Sequence, residues 1–518
     1  MFKAQNLPRG SFGVQKQIET PKRQEDIVRE QFDEERRRLA ARGSRMQALE
    51  DATDTLLKAA TQLETEIGRE VKYWDEILSI SQKGWSLQRL RRNVRHSPLA
   101  VRYGYPEASG QFKARGLAPL RMDKEGSIIL DPALALKPKT LRVRISDNGA
   151  IKGTSHLPTL DDGTSLGIEK SIKLARESLF EEELYHEITM ENRQLSAYGV
   201  ELRNSVIHLK VPGSGHQTIL IDCITRDDDI ASSQDHSQDS LAQSVAEALR
   251  LLLTHEHHMR LYRRSQIPPP MTQHKRQPPM PPLLRTLLAM FSHLNAVDAV
   301  KNYFDVVVKT FKSAGLDTTV QMTRETSWEK LTKIIGESTR EDVSATDQVF
   351  EAFVKPFDGL ASLSLPNGTA SEKLTVATRT YIGPPTFGTE FKVTLPSSLV
   401  SVLNLAPDQK RDFKFSSADE VESYIDWILS LDLSHTLLHK AFAGKAAIKS
   451  KEPRVTVSTK DGKKVFKKDV EVELTGGQLK VTVGLSPLTG TNTSSQAYTW
   501  DGSVADNSFI GKIKELVG

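Results

Sequence analysis

Residues 21–80 read PKRQEDIVREQFDEERRRLAARGSRMQALEDATDTLLKAATQLETEIGREVKYWDEILSI, and the spacing of their apolar side chains decides what kind of protein this is. Phe32, Leu39 and Met46 recur every seven positions, and Thr53, Ala60 and Ile67 continue the series. Leu49, Leu56 and Leu63 form a second series three residues further on. Seven-residue spacing keeps a narrow stripe on one side of a helix, so the two series predict a coiled-coil seam. After Ile67 the phase moves to Val71, Trp74 and Leu78, as a four-residue stutter produces. Glu25–Arg29, Asp33–Arg37 and Glu34–Arg38 stand at favourable i,i+4 spacing beside it. Thr20 suits an N-cap, and Pro21 suits the first helical position, where its missing N–H is no loss. One helix, or two collinear ones broken at Gly43, is expected, on the order of 85 Å long at 1.5 Å per residue. The stripe needs a second helix to cover it, from this chain or another.

Working outward, the 518 residues are enough for two to four domains. Charged residues make up 26% and apolar ones 38%, which suits substantial helix, and aromatics at 6% argue against compact all-β architectures. The single cysteine, Cys223, excludes an intrachain disulfide framework and a multi-cysteine metal site, and it fits a reducing compartment. Met1 to Val14 lacks a long apolar core, so no signal peptide is expected. No window approaches the roughly 18 apolar residues of a membrane span. A net charge of +4 is small for a protein that coats nucleic acid.

The chain divides by composition into an N-terminal arm (1–20), the coiled-coil helix (21–83) and a basic segment of irregular structure and short strands (84–160). A helix–hairpin–helix region (161–264), a Pro-rich linker (265–282), a helical region (283–355) and an α+β domain (356–518) follow. Ile168, Ile172, Ala175, Leu179, Leu184, Ile188 and Leu195 predict a helix over 167–197. A hairpin is expected from Val206–Val211 and Thr218–Ile224 around Gly213–Gly215, and a third helix over 239–263. Seven prolines in 265–282 favour extended polyproline, and Leu283–Gly315 reads as helix. Strands are expected at 371–382 and 388–395, then a helix with Ser417 and Glu420 as a capping box, running to Gly444. Val470, Val472 and Leu474 alternate with Glu471 and Glu473, and Gly476–Gly477 turns them back into Leu479, Val481, Val483 and Leu485. A short helix over 506–517 ends the chain. The expected fold class is mostly α with an α+β C-terminal part, its sheet antiparallel.

Chemistry is sparse. In His255, Glu256, His257 and His258, a zinc-protease helix would need a second histidine where Met259 stands, so a solvated helix face is expected. Gly213–Gly215 lacks the Gly-Lys-Ser/Thr ending of a phosphate loop. Cys223 lies on an apolar strand with nothing nearby to stabilise a thiolate. No catalytic, cofactor or metal residue is assigned. Residues 85–121 carry eight basic residues (Arg89, Arg91, Arg92, Arg95, Arg102, Lys113, Arg115, Arg121) against one Glu, with Trp85, Tyr103, Tyr105 and Phe112 among them. Aromatics between basic residues can stack on bases, which makes a nucleic-acid-binding nuclear regulator the alternative function. The competing expectation is that these aromatics form a small core and the arginines pair with acidic neighbours or partner subunits.

Two segments resemble Mediator complex subunit 17, particularly its fungal members. In Gly84–Leu130 the sequence supplies Gly84–Trp85, Val101–Gly104, Glu107–Ala108, Phe112–Gly116 and Ala118–Leu120 in the family's order, with Trp85, Arg102, Phe112, Lys113, Arg115 and Gly116 as marker residues. Ala175–Val200, ARESLFEEELYHEITMENRQLSAYGV, is similar to the family's helix ending in Tyr-Gly-Val. The resemblance implies a non-enzymatic nuclear coactivator subunit, the scaffold of the Mediator head module, without cofactor. Its implied partners are other head-module subunits, RNA polymerase II and transcription factors, with no membrane and no direct nucleic-acid contact expected. The seam residues Phe32, Leu39, Met46, Leu49, Leu56, Leu63, Ile67, Val71, Trp74 and Leu78 are then the expected partner interface.

Overall fold

The computed structural model describes residues 21, 23–90, 98–130, 138–156, 167–225, 236–266, 280–324, 357–366, 373–383, 386–403, 411–448, 452–461, 464–485, 495–503 and 508–518. Two compact units emerge, one of residues 1–101 and 119–132, the other of 102–118 and 133–518. Among the described residues, no helix is long and apolar enough to cross a membrane.

The first unit is built on α1 (Gln24–Gln82), 59 residues without interruption at Gly43, about 90 Å long. Its N-cap is Arg23, so Pro21 precedes the helix; Thr20 lies outside the described residues. Arg38 pairs with Glu34 at 2.9 Å, whereas Arg37 Nε donates to the Asp33 carbonyl. A four-stranded sheet follows in the order β1 (Ser86–Arg89), β2 (Leu99–Arg102), β3 (Leu117–Met122), β4 (Ile128–Leu130). The β3–β4 hairpin docks on the last turns of α1. Tyr73 Oη donates to the Leu120 carbonyl at 3.4 Å, and the Ile128 N–H donates to Glu76 at 2.7 Å. Gly126, at φ +82°, approaches Arg69 so closely that a Cβ would stand 2.7 Å from its carbonyl oxygen. The face of α1 used here runs through Arg69, Tyr73, Glu76, Ile77 and Ile80, and Ile77 and Ile80 are buried.

The second unit opens with α2 (Gly110–Arg115). A five-stranded sheet then runs in the order β6 (Ala150–Thr154), β5 (Lys139–Asp147), β9 (Gln217–Thr225), β8 (Val206–Lys210), β7 (Val200–Arg203). Along β5, Leu141, Val143 and Ile145 are fully buried and alternate with Arg142 and Arg144, which grip Asp222 on β9. α3 (Ile168–Leu195) and α4 (Asp239–Ser265) pack with this sheet into one core, which also takes Leu283, Leu284, Leu287 and Leu288.

Those leucines begin α5 (Leu284–Ser313), whose other half sits in a different core. Val300, Phe304, Val307 and Phe311 meet the inner faces of two meanders. The first is β10 (Val320–Arg324), β11 (Phe357–Ser364), β12 (Lys373–Ile382), β13 (Phe387–Thr394) and β14 (Asp412–Phe415), with α6 (Ser397–Val402) in the connection before β14. The second is β15 (Ala446–Ile448), β16 (Arg454–Asp461), β17 (Lys464–Thr475), β18 (Gln478–Leu485) and β19 (Gln496–Trp500). α7 (Ala418–Asp432), continued by a π-helical turn over Leu433–Leu438, and α8 (Phe509–Val517) complete this core.

The description as mostly α is overturned. About half of the structure is helical, and four antiparallel sheets hold 30% of it in strands. The reason is that strands such as β5, β11, β16 and β19 alternate apolar with polar residues over only five to nine positions, and each becomes part of a sheet only through partners outside its own segment. The predicted hairpin, the β17–β18 turn at Gly476–Gly477 and the helices α3, α4 and α5 are present within a few residues of their expected bounds. At α7, Ser417 caps the N–H of Asp419 and Glu420 reaches back to the N–H of Ser416, one residue away from ideal capping-box partners. The N-terminal arm, most of the Pro-rich segment and the helix expected up to residue 355 beyond 324 lie outside the described residues.

Phe304 is fully buried at the centre of the C-terminal core. Phe304→Ala should lower stability by about 3–5 kcal/mol, read as a shifted urea midpoint of the second unit.

Candidate functional site

Two arrangements carry the candidate residues, one the seam expected from heptad spacing and the other the family-like segments. The first is the seam of α1. Phe32, Leu39, Met46, Leu49, Leu56, Leu63, Ile67, Val71, Trp74 and Leu78 are all exposed, between 49% and 71%. At 100° per residue, Ile67, Val71, Trp74 and Leu78 lie on the side of α1 roughly opposite Arg69, Tyr73, Glu76, Ile77 and Ile80. The sheet of the first unit therefore uses one face of the helix and leaves the seam uncovered. Periodicity alone missed Ile77 and Ile80, because two isoleucines three residues apart do not stand out beside a ten-residue stripe.

The second arrangement brings the two family-like segments together. The stretch Arg102–Ala118 lies against α3. Arg176 Nε donates to the Tyr103 carbonyl at 2.7 Å, Arg115 Nη2 to Glu182 at 2.7 Å, and the Ser109 N–H to Glu183 at 2.8 Å. The Phe112 ring packs 5.5 Å from His186, and Tyr105 lies between Phe180 and His257. Gly104 and Gly116 pass so closely that a Cβ on either would stand 2.6 Å from the other's Cα, which only glycine permits. The N–H groups of Tyr103 and Gly104 both reach the Gly116 carbonyl, and the Tyr103 hydroxyl, its pKa pushed up to about 12 by burial, donates to the Arg115 carbonyl.

Behind this contact α3 buries a row of carboxylates. Glu181 accepts from the Leu141 N–H of β5 at 2.8 Å and from Arg250 of α4 at 2.7 Å. Glu183 also faces Arg260 at 3.3 Å, and His257 Nε2 stands 3.2 Å away without alignment for a hydrogen bond. Glu187 accepts from Arg260, which also reaches Glu256, and Glu256 takes Arg263 as well. Glu191, fully buried, accepts the N–H groups of Leu283, Leu284 and Arg285 at 3.0, 2.6 and 3.3 Å, closing the first turn of α5. Burial pushes its pKa up to about 7, against the pull of those N–H groups and of Arg285.

The histidine cluster is thus corrected. Glu256 and His257 face the buried interior rather than a solvated surface, while His258 is exposed. The buried glutamates were not anticipated, and the available signal was the coincidence of a Glu-rich helix with arginines spaced along α4. Of the basic segment, Phe112 and Gly116 are buried, Arg102 is half-buried, and Lys113 and Arg115 are exposed; Trp85 is buried in the first unit. Tyr103 and Phe112 have no face free for a base to stack on. Arg91, Arg92 and Arg95 lie outside the described residues. Cys223 is partly buried, and burial pushes its thiol up to about 12, far from a nucleophile's range. Among the described residues, no group of three or more ligand-type side chains could hold a metal ion.

Glu183→Ala leaves the Ser109 N–H and Arg260 short of an acceptor in a buried setting. It should cost about 3–5 kcal/mol, measured by chemical denaturation. Glu191 carries a pH dependence. Folding raises its pKa from 4.5 to about 7, so the native state holds the proton more tightly than the unfolded chain. Its contribution to stability therefore declines as pH rises from about 4.5 through about 7. Thermal melts should show wild type losing more stability than Glu191→Gln between pH 5 and pH 8.

A family model described as Subunit 17 of Mediator complex matches residues 3–311. The Mediator of RNA polymerase II transcription subunit 17 of Aspergillus oryzae is 32% identical over 415 residues, 79% of this chain and 62% of that protein. The one from Emericella nidulans is 34% identical over 403 residues, 76% of this chain and 60% of that protein. The chain thus spans about 60% of the length of these relatives. A solved structure of the Schizosaccharomyces pombe Mediator head module holds a chain of similar fold, with a TM-score of 0.52 at 15% identity, covering 81% of this chain and 86% of that one. With well over half of its residues inside the family model, the chain belongs to the Mediator complex subunit 17 family.

Proposed function

We propose that this chain is a structural scaffold subunit of the Mediator head module, without enzymatic activity, acting in the nucleus. There it helps pass signals from gene-specific regulators to RNA polymerase II. The observation that carries the reading is the α1 seam: ten large apolar side chains, all at least 49% exposed, along a helix against which its own unit packs only at the other face of the last turns. Burying Leu49, Leu56 and Leu63 against partner helices is worth roughly 5–9 kcal/mol, enough to hold an assembly. The relatives' name and the head-module structure of similar fold support Mediator as that assembly. The mechanism is positional: coiled-coil burial keeps several subunits in register. The rival reading, a nucleic-acid-binding regulator, relied on aromatics of the basic segment, and two of them are buried side chains of the α3 contact.

A tagged chain recovered from nuclear extract should bring down Mediator subunits and RNA polymerase II, identified by mass spectrometry. The triple variant Leu49→Gln, Leu56→Gln, Leu63→Gln should lose those partners while circular dichroism and the urea midpoint of the second unit stay at wild-type values. Retention of every partner by this variant would refute the role of the seam.

A further inference from the structure

Downstream of Asp33, Glu34 and Glu35, two successive stretches of the α1 seam carry opposite charge. Residues 36–45 hold five arginines and no acid, whereas residues 46–70 hold six acids against Lys58 and Arg69. With Phe32, Leu39 and Met46 as position a, Arg36 falls at e, Arg42 at d and Arg45 at g. In the following heptads Glu50 and Glu64 fall at e and Glu70 at d. All six line or border the uncovered stripe, and all are exposed. Arg38 and Glu66 are paired inside the helix, with Glu34 and Arg69. The other six make no ion pair among the described residues.

Charges at these positions meet the flanks of whatever helix lies in the seam, where opposite signs attract and like signs repel. We propose that this charge order sets the direction and register of the partner of α1. The occupant is a helix of another subunit that presents acidic residues beside 36–45 and basic residues beside 50–70. The inference rests on the scaffold reading above and adds the chemistry of the partner. A second copy laid parallel and in register would set arginine against arginine and glutamate against glutamate. An antiparallel copy pairing Arg36 with Glu64 would bring the two Glu50 side chains together at its centre. The pattern therefore selects a complementary helix over self-pairing.

The test uses the full chain, tagged and recovered from nuclear extract, with partners quantified by mass spectrometry. One variant carries Arg36→Glu, Arg42→Glu and Arg45→Glu, a second Glu50→Lys, Glu64→Lys and Glu70→Lys. A control carries Asp51→Lys and Asp54→Lys, at positions f and b on the side away from the seam. Each triple variant should lower recovery of the α1-bound partner about tenfold at physiological salt, with the control unchanged. Cross-linking should place partner acids beside residues 36–45. Undiminished recovery with both triple variants, while the three-leucine variant still loses its partners, overturns the charge order and leaves the scaffold reading standing. A symmetric dimer of the chain as the sole product overturns both.

Discussion

The second unit depends on one helix that buries its acids. Isolated carboxylates in a protein interior cost several kcal/mol each, and such a site persists only when every oxygen is met by a cation or an N–H. α3 gathers such partners at four positions, three of them through arginines of α4. Glu181 takes β5 and α4, Glu183 takes the Ser109 backbone and α4, Glu187 takes Arg260, and Glu191 takes the first turn of α5. Apolar contacts alone would let these elements slide by a turn. Directional hydrogen bonds to charged groups do not, and they set the register of the unit.

α5 carries that register onward. Its first turn is held by Glu191 and packed among the leucines beside α3 and α4, and its later turns lie between two meanders. A helix shared between two cores transmits position, because neither core can shift along it without opening a packed interior. This suits the scaffold role proposed above. Each meander pairs strands that follow one another in sequence, whereas the sheet around β5 joins strands separated by the whole of α3.

α1 is the counterpart. Its long stripe gains nothing from its own unit, whose sheet binds the other face through Tyr73, Glu76, Ile77 and Ile80. In the proposed scaffold role, stability of the chain and assembly with partners fall to different surfaces. Polar substitutions in the seam can act on one without the other. The two segments that resemble the family turn out to meet in one contact, in which Arg115, Phe112 and Gly104 touch the Glu-rich helix and Gly116 packs on Gly104. The likeness in sequence marks a folding constraint there rather than a ligand site.

The helices α1, α3, α4 and α5, the β8–β9 hairpin and the β17–β18 turn were legible in the sequence, because helical periodicity and glycine turns are encoded within a dozen residues. The exposed seam was legible for the same reason: a heptad stripe is visible without knowing its partner. The four sheets as wholes were not, since β5 has alternation enough for a strand but nothing within it names β9 as its neighbour. Nor was the burial of Glu181, Glu183, Glu187 and Glu191. A glutamate on a helix reads as a solvated residue until arginines and backbone N–H groups from other elements are brought around it. Sequence by itself determined the family, the long helix and its uncovered stripe, whereas tertiary structure alone decided which charges go inside. A carboxylate's place depends on the partners folding delivers to it, and those lie roughly forty to ninety residues away along the chain.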